Sequence, residues 1–357
     1  MKRPLNILLT VLLLAGLGVG IFFSVRGQIQ SRSVVTVKGV IGSEKEDFFR
    51  NPEVVAALLK RQLRVEYLKA GSREIAGRDL SGLDFAFPAG VPAAEALKKR
   101  VKPQQTYDVF YTPVVIASFG PILKLLEQNG LAKAEGNYGT LPMPALLKVM
   151  EAGTRWNALK GSSLYPSSRS LLVTTTDVRT SNSAAMYLAL VSGVLNGGQV
   201  AQAGDLDTLM PKVSPLFLRQ GYQESSSAGP FEDYQALGAG KTPLVNIYES
   251  QYLAAAREKT LPQGAVLLYP QPGIITKHVL IPLTPAGTRL GEVLTGDPEL
   301  QRLAARAGYR TRDASLFQAA VKSSGVSVPA SLLDTADLPS QEVMEAMISN
   351  IQAQYPK

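Results

Sequence analysis

Three short polar loops carry the side chains best suited to bind an anion. They are residues 42–45, 71–74 and 177–183. Each follows a predicted strand, and open α/β sheets bind ligands at the carboxyl ends of their strands. In the third loop, Ser181 or Asn182 would cap a helix whose free N–H groups attract an anion, and Arg179 adds a guanidinium. The same two residues also suit an ordinary helix start, so both interpretations stay open.

The composition excludes much enzyme chemistry. The 357 residues include no cysteine and a single histidine, His278. This removes thiolate nucleophiles, disulfides, cysteine-rich zinc sites and schemes that need two histidines. We therefore predict no catalytic residue, no metal site and no cofactor. An enzyme stays an alternative through Asp177, Glu249 and Lys45, provided that two of them share a pocket.

Two basic motifs do not indicate a nucleotide or nucleic-acid site. Residues 238–242 read Gly-Ala-Gly-Lys-Thr, like the end of a phosphate-binding P-loop, but Gln235 stands where that motif needs glycine. A proline and a predicted strand follow, where a P-loop continues into a helix. The basic run at 98–102 ends a predicted helix, suits the helix dipole and has no interleaved aromatic residues. The net charge of +8 thus fits an anionic ligand or surface without nucleic acid as a partner.

The amino terminus carries a predicted membrane segment. Residues 5–25 are uncharged and follow Lys2 and Arg3. As a helix this stretch would measure about 31 Å, which matches the hydrocarbon core of a bilayer. Because the run is long and no small-residue cleavage site precedes Arg26, a retained anchor is favoured over a cleaved signal peptide. We expect a single-pass protein of the cell membrane whose soluble part is extracytoplasmic, either periplasmic or extracellular.

The rest of the chain alternates predicted strands and helices. A strand at 34–37 precedes a helix that begins after Asn51, and a strand at 170–175 precedes a helix at 183–195. Alternation of this kind predicts an α/β fold with mostly parallel, doubly wound sheets, and the length favours two lobes. The predicted divisions are a membrane segment 1–27, a linker 28–33, lobe 1 at 34–112, lobe 2 at 113–262, a return to lobe 1 at 263–323 and a helical extension 324–357.

The order of these motifs resembles the type II extracellular solute-binding proteins of bacterial ABC transporters, in the branch of phosphate and molybdate binders. The residues that carry the resemblance are Gly42-Ser43, Phe48-Phe49, 111–117, Arg155-Trp156, 177–183, 247–250 and 307–310. The resemblance implies two α/β lobes joined by crossing strands, which close on a ligand in the cleft between them. By motif position it implies as cleft residues Ser43, Ser72, Ser118, Thr180, Ser181 and Tyr248.

We therefore expect a non-catalytic, membrane-anchored solute-binding protein that captures a small anion, either an oxyanion or a carboxylate. The expected ligand-binding residues are Ser43, Ser72, Arg73, Ser118, Arg179, Thr180, Ser181, Asn182 and Tyr248. The expected partners are the solute, the membrane, and an ABC permease or another membrane protein. Two alternatives stay open: an anchored sensor or interaction domain with the same fold, and an enzyme on the same scaffold. A cleft filled by the chain's own side chains would favour the sensor.

Overall fold

The computed structural model describes residues 34–221, 223–329, 332 and 334–355. The predicted membrane segment at 5–25 and the linker at 28–33 lie outside these residues. Within the described part of the chain, no helix is long and apolar enough to cross a bilayer.

The described residues form an α/β fold of nine strands and fourteen α-helices. The strands are β1 (Val35–Gly42), β2 (Leu63–Ala70), β3 (Phe85–Phe87), β4 (Tyr107–Phe119), β5 (Lys133–Glu135), β6 (Tyr138–Pro142), β7 (Val245–Tyr248), β8 (Ala265–Gln271) and β9 (Ile274–Pro282). The first seven helices are α1 (Glu46–Arg50), α2 (Pro52–Lys60), α3 (Ser72–Gly77), α4 (Val91–Val101), α5 (Gly120–Glu127), α6 (Met143–Glu151) and α7 (Asn182–Leu195). The others are α8 (Leu206–Leu218), α9 (Ala228–Leu237), α10 (Glu249–Glu258), α11 (Pro285–Gly296), α12 (Pro298–Arg306), α13 (Ala314–Ser324) and α14 (Gln341–Ala353).

Two long strands connect the two halves of the hydrogen-bonded array. The strand order is β2-β1-β3-β9-β4-β8-β6-β5, and β7 pairs with β4. Strands β1 to β3 pair in parallel and, with their helices, form what we call the first half. Strands β5 to β8 with their helices form the second half, and β4 and β9 pair with each other between the two.

The array is mixed, whereas the sequence predicts mostly parallel sheets. Strand β4, one of the two connecting strands, pairs antiparallel with β7, β8 and β9. Strand β4 runs unbroken through the predicted lobe boundary between Thr112 and Pro113 and pairs with β9 on either side of the proline. Residues 170–175 form no regular strand but two isolated bridges, from Ser170 to Arg155 and from Thr174 to Val245.

The apolar cores follow the same division. In β1, Val37 and Ile41 enter one cluster with α2, while Val40 enters another with α3 and α4, because successive strand residues face opposite sides of a sheet. Helices therefore cover both faces of the first half. A third cluster fills the second half. Strand β4 contributes to two of these clusters, through Phe110 in the first half and Ile116 in the second.

Two helices of the second half determine the geometry of the junction between the halves. Twelve of the fourteen residues of α7 are buried, because its sequence is apolar or small on nearly every side. Helix α14 buries Val343, Met344, Met347, Ile348 and Ile351 in the same cluster. Their spacing of three or four residues places them on one face, so the polar face of α14 is left to contact the first half.

Candidate functional site

A small polar cavity lies at the junction of the two halves, and we call it the junction cavity. The first half contributes Ser43, Glu44, Gly71 and Ser72, and the second contributes Ser181, Asn182, Ser226, Ser227 and Tyr248. Its volume is about 10 Å³, which is room for a single water molecule. The junction cavity thus brings together residues from all three polar loops singled out in the sequence.

Parallel pairing of β1 with β2 places two of these loops side by side. Gly42 and Ala70 are partners in the ladder, so the chain leaves both strands at one edge of the sheet. A short 3₁₀ turn, Ser43–Lys45, follows β1, and α3 begins at Ser72 after β2. The Ser72 hydroxyl accepts a hydrogen bond from the Ala89 N–H at 2.8 Å, which fixes this side chain in the wall.

The amino-terminal end of α7 supplies the opposite wall. Its N-cap residue, Ser181, makes no side-chain capping bond, and its hydroxyl lies 2.9 Å from that of Ser183. The Asn182 amide donates to the Tyr248 hydroxyl at 3.1 Å and to the Thr276 hydroxyl at 3.3 Å. Because no side chain caps the first turn, its N–H groups and the positive end of the helix dipole are available to an anion.

The halves touch directly beside the cavity. The Arg73 N–H donates to the Thr180 carbonyl across the junction at 3.0 Å. A Cβ on Gly71 would lie 2.4 Å from that carbonyl oxygen, and a Cβ on Gly90 would lie 1.9 Å from the Asn182 side chain. Only glycine therefore permits this closed arrangement at the two positions.

A buried ion pair forms part of the first-half wall. The Glu44 carboxylate accepts a hydrogen bond from the Lys45 ammonium and lies 3.5 Å from Nδ1 of His278. Lys45 and His278 are fully buried, and the ammonium lies 4.8 Å from the centre of the Phe87 ring. The carboxylate and the ammonium together add no net charge to the junction.

Opposing effects set the pKa values of this cluster. Burial raises the pKa of Glu44, but the charge of Lys45 and the neighbouring His278 ring outweigh it and lower that pKa to about 2. Burial and the charge of Lys45 lower the pKa of His278 to about 4. Burial also lowers the pKa of Lys45, against the attraction of Glu44. At neutral pH, Glu44 is therefore ionised and His278 is neutral.

Two buried polar atoms of the junction cavity have no hydrogen-bond partner among the described residues. They are the Ser43 hydroxyl and the Asn182 carbonyl oxygen. Buried polar groups are nearly always satisfied in native proteins, so each is available to a ligand or an ordered water. One comes from each half, which is the arrangement that a ligand-clamping cleft requires.

The structure separates the nine predicted ligand-binding residues into two sets. Those that line the junction cavity are Ser43, Ser72, Ser181, Asn182 and Tyr248. The other four do not line it. Ser118 donates to the Pro243 carbonyl at 2.8 Å, and Thr180 donates to the Ser225 carbonyl at 3.0 Å.

Both predicted arginines are engaged by other side chains of the protein. The Arg73 guanidinium contacts Glu345 of α14 at 2.6 Å. The Arg179 guanidinium pairs with Asp177 at 2.5 Å and lies 4.6 Å from the Tyr355 ring. The carboxyl-terminal segment therefore pairs with Arg73 and contacts Arg179 through the Tyr355 ring, although loop position alone predicts both arginines as ligand contacts.

Sequence reasoning missed several residues of the site. Ser226 and Ser227 line the cavity, and the only signal for them is a run of serines before a predicted helix. Glu44 lies inside the first polar loop, yet its pairing with the adjacent Lys45 gives no periodic signal. His278 joins the cluster through β9 and is buried next to Phe110 and Tyr309, as an apolar strand predicts.

The three candidate catalytic residues lie in separate ion pairs. Lys45 contacts Glu44, Asp177 contacts Arg179, and Glu249 accepts from Arg310 at 2.7 Å. No hydrogen bond joins any two of the candidates in the described part of the chain. Among the same residues, no group of three or more His, Asp or Glu side chains could hold a metal ion.

Solved structures share the α/β fold of this chain. The chain has the fold of periplasmic binding proteins. The sulfate-binding protein SubI from Mycobacterium tuberculosis is 17% identical, with 83% of this chain and 93% of that chain covered and a TM-score of 0.56. A periplasmic thiamin binding protein is 14% identical, with 92% and 98% covered and a TM-score of 0.60.

A third structure of this fold is the periplasmic binding protein AfuA from Actinobacillus pleuropneumoniae, with fructose-6-phosphate bound. It is 12% identical, with 88% of this chain and 97% of that chain covered and a TM-score of 0.56. No family model matches the sequence, and no curated protein matches it. The relationship is therefore one of fold across nearly the whole described chain.

Proposed function

We propose that the protein is a non-catalytic, extracytoplasmic solute-binding protein that captures a small anion in the junction cavity. One observation carries the proposal: hydroxyl and amide groups from both halves meet at the uncapped end of α7. The Ser43 hydroxyl and the Asn182 carbonyl oxygen have no partner among the described residues. Hydroxyls and helix N–H groups bind an oxyanion or a carboxylate without any catalytic group.

The fold relatives support this class of function. Their names record a sulfate-binding protein, a thiamin binding protein and a protein with fructose-6-phosphate bound. Two of these three solutes are anions. Membership of the type II class and of its phosphate and molybdate branch stays part of the proposal.

Binding is proposed to require movement of the halves. The junction cavity has room for one water molecule, so a larger solute enters only when the halves separate. The connecting strands β4 and β9 would act as the hinge. A solute then favours closure to the extent that it contacts both walls at once.

The proposal includes a location, a partner and a division of the chain. Residues 5–25 would anchor the protein in the cell membrane, with the remainder in the periplasm or outside the cell, beside an ABC permease or another membrane protein. Residues 34–112 and 263–323 would form lobe 1, although β8 within the second range pairs with β6 of the second half. Residues 113–262 would form lobe 2, and residues 324–357 an extension.

Thermal unfolding with added solutes tests the proposal. The panel includes sulfate, phosphate, molybdate and small carboxylates at up to millimolar concentration. A solute at 100 times its Kd stabilises the folded state by about 2.7 kcal/mol, which raises the melting temperature by several degrees. The control is Gly90→Ala, because a Cβ at this position would lie 1.9 Å from the Asn182 side chain and prevent closure. A panel in which no solute raises the melting temperature would refute the proposal.

One observation favours a second candidate, an anchored sensor or interaction domain. The junction is nearly filled by the chain's own side chains, including the Glu44–Lys45 pair, and Arg73 is held by Glu345. In that case no solute shifts the melting temperature. The substitution Gly90→Ala then alters only how closely the two halves approach each other. Calorimetry with the same panel separates the two functions, because the sensor gives no heat of binding.

A further inference from the structure

A second cavity lies in the second half, separate from the junction cavity. It has a volume of about 590 Å³, within the range of small-molecule sites. Four basic side chains line it, and we call it the basic cavity: Arg155, Arg169, Arg219 and Lys241. The two cavities share no lining residue.

The four cations come from four separate segments of the chain. Arg155 follows α6, Arg169 lies in the loop before the bridge at Ser170, Arg219 ends α8 and Lys241 follows α9. Two acidic residues, Glu224 and Asp233, also line the cavity. The cations outnumber the acids, so the cavity attracts a negatively charged group.

Three of these cationic side chains are only weakly engaged by the protein itself. The Arg219 backbone N–H donates to the Pro215 carbonyl, but its guanidinium has neither a carboxylate nor a hydrogen-bond partner among the described residues. Arg155 makes one hydrogen bond, from one Nη to the Ser168 carbonyl at 2.9 Å. The ion pair of Lys241 with Asp233 is 4.0 Å long. Donors on three side chains are therefore available to a ligand.

The fourth cation fixes the wall. The Arg169 guanidinium donates to the Lys241 carbonyl at 3.0 Å and to the Gly240 carbonyl at 2.7 Å. These bonds hold the Gly-Ala-Gly-Lys-Thr segment at 238–242 against the cavity. Thr242 is 2% exposed, and its hydroxyl has no partner among the described residues.

The segment at 238–242 does not bind phosphate as a P-loop does. The N–H groups of Lys241 and Thr242 both donate to the Gly238 carbonyl, at 3.1 Å each, so they do not form a backbone cradle. No long helix starts here, since a 3₁₀ turn at Gly238–Gly240 is followed by β7. The segment therefore contributes to the basic cavity through its side chains.

We propose that the basic cavity binds a small organic phosphate that also carries hydroxyl groups. A guanidinium presents a planar fork of donors that matches phosphate oxygens, and Arg155 and Arg219 both have such donors available. The carboxylates of Glu224 and Asp233 accept hydrogen bonds from hydroxyl groups. A cavity with both kinds of group fits a phosphate ester of a polyol better than a bare inorganic anion.

Isothermal titration calorimetry with glycerol-3-phosphate tests this site. The double variant Arg219→Gln, Lys241→Gln is expected to bind at least tenfold more weakly than the native protein, since it removes one guanidinium without a side-chain partner and one ammonium held only by a 4.0 Å ion pair. Both side chains are exposed, so the fold is retained, which circular dichroism and the melting temperature check. Glycerol alone, which lacks the phosphate, is expected to give no heat.

Two control variants locate the binding at the basic cavity. Lys212→Gln removes an exposed charge on α8 outside the cavity and is expected to leave binding unchanged. Gly71→Ala, at the junction, is also expected to leave it unchanged. The proposal is overturned if the native protein does not bind glycerol-3-phosphate, if Lys212→Gln weakens binding as much as the double variant, or if only Gly71→Ala abolishes it.

Discussion

The substitution Glu44→Gln tests the role of the buried ion pair in stability. The Glu44 carboxylate has a pKa of about 2 in the folded protein, compared with an ordinary value of 4.5. A difference of that size corresponds to about 3 kcal/mol of stability at neutral pH. The value agrees with the cost of about 3–5 kcal/mol for removing one partner of a buried pair. We therefore expect the variant to lose about 3 kcal/mol at pH 7.

The effect has a defined pH dependence. A carboxyl group with a lowered pKa in the folded state contributes its full stability above the ordinary pKa and loses it as the pH falls towards the folded value. The difference between the native protein and Glu44→Gln is therefore constant above about pH 5 and shrinks towards pH 2. Urea unfolding followed by circular dichroism at a series of pH values measures it.

Two companions make the experiment decisive. Glu46→Gln removes a surface partner of Lys69 and is expected to cost less than about 1 kcal/mol, because Lys69 is half exposed. The double variant Glu44→Gln, Lys45→Met removes both buried charges and is expected to recover most of the loss. A loss below 1 kcal/mol for Glu44→Gln, or a loss that does not shrink in acid, would refute the reasoning.

Three further substitutions test the junction and its neighbourhood. Gly71→Ala places a Cβ 2.4 Å from the Thr180 carbonyl oxygen and is expected to prevent closure, whereas at Gly77 a Cβ meets nothing within 4 Å. Small-angle scattering should show a larger radius of gyration for Gly71→Ala than for Gly77→Ala. Equal radii for the two variants would contradict the close approach of Gly71 to Thr180. Glu345→Gln breaks an ion pair between α14 and the first half. We expect less than about 1 kcal/mol of lost stability, because the carboxylate is 46% exposed, but a larger open fraction by the same measurement. His278 has a folded pKa of about 4, so between about pH 6.5 and 4 the unfolded chain binds a proton that the folded chain does not. The free energy of unfolding should therefore decrease as the pH is lowered through that window. The substitution His278→Gln should make this decrease smaller.

Local signals in the sequence predict the elements that surround the site. Asn51 and Pro52 mark a helix start, and the structure has α2 there, with the Asn51 side chain accepting from the Glu53 N–H at 2.8 Å. The predicted helical extension at 324–357 contains α14. Caps, prolines and apolar spacing act over a few residues, so a single sequence contains them.

Contacts between distant segments are not readable in this way. Arg73 and Glu345 are 272 residues apart, and nothing in either neighbourhood indicates that they meet. From its position in the loop, Arg73 is predicted to contact the ligand. In the structure its guanidinium instead pairs with Glu345 of α14. The mixed strand directions have the same origin, because the direction of β4 and β9 depends on which strands of the other half they pair with.

The place of α14 in the chain has a consequence for biosynthesis. Proteins emerge from the ribosome amino terminus first, and their parts fold as they emerge. The strands of both halves precede residue 283, whereas the ion pair to Arg73 forms only after Glu345 has been synthesised. A chain cut by a premature stop codon after α13 would keep every strand and lose this contact, together with the five apolar residues that α14 buries in the second half.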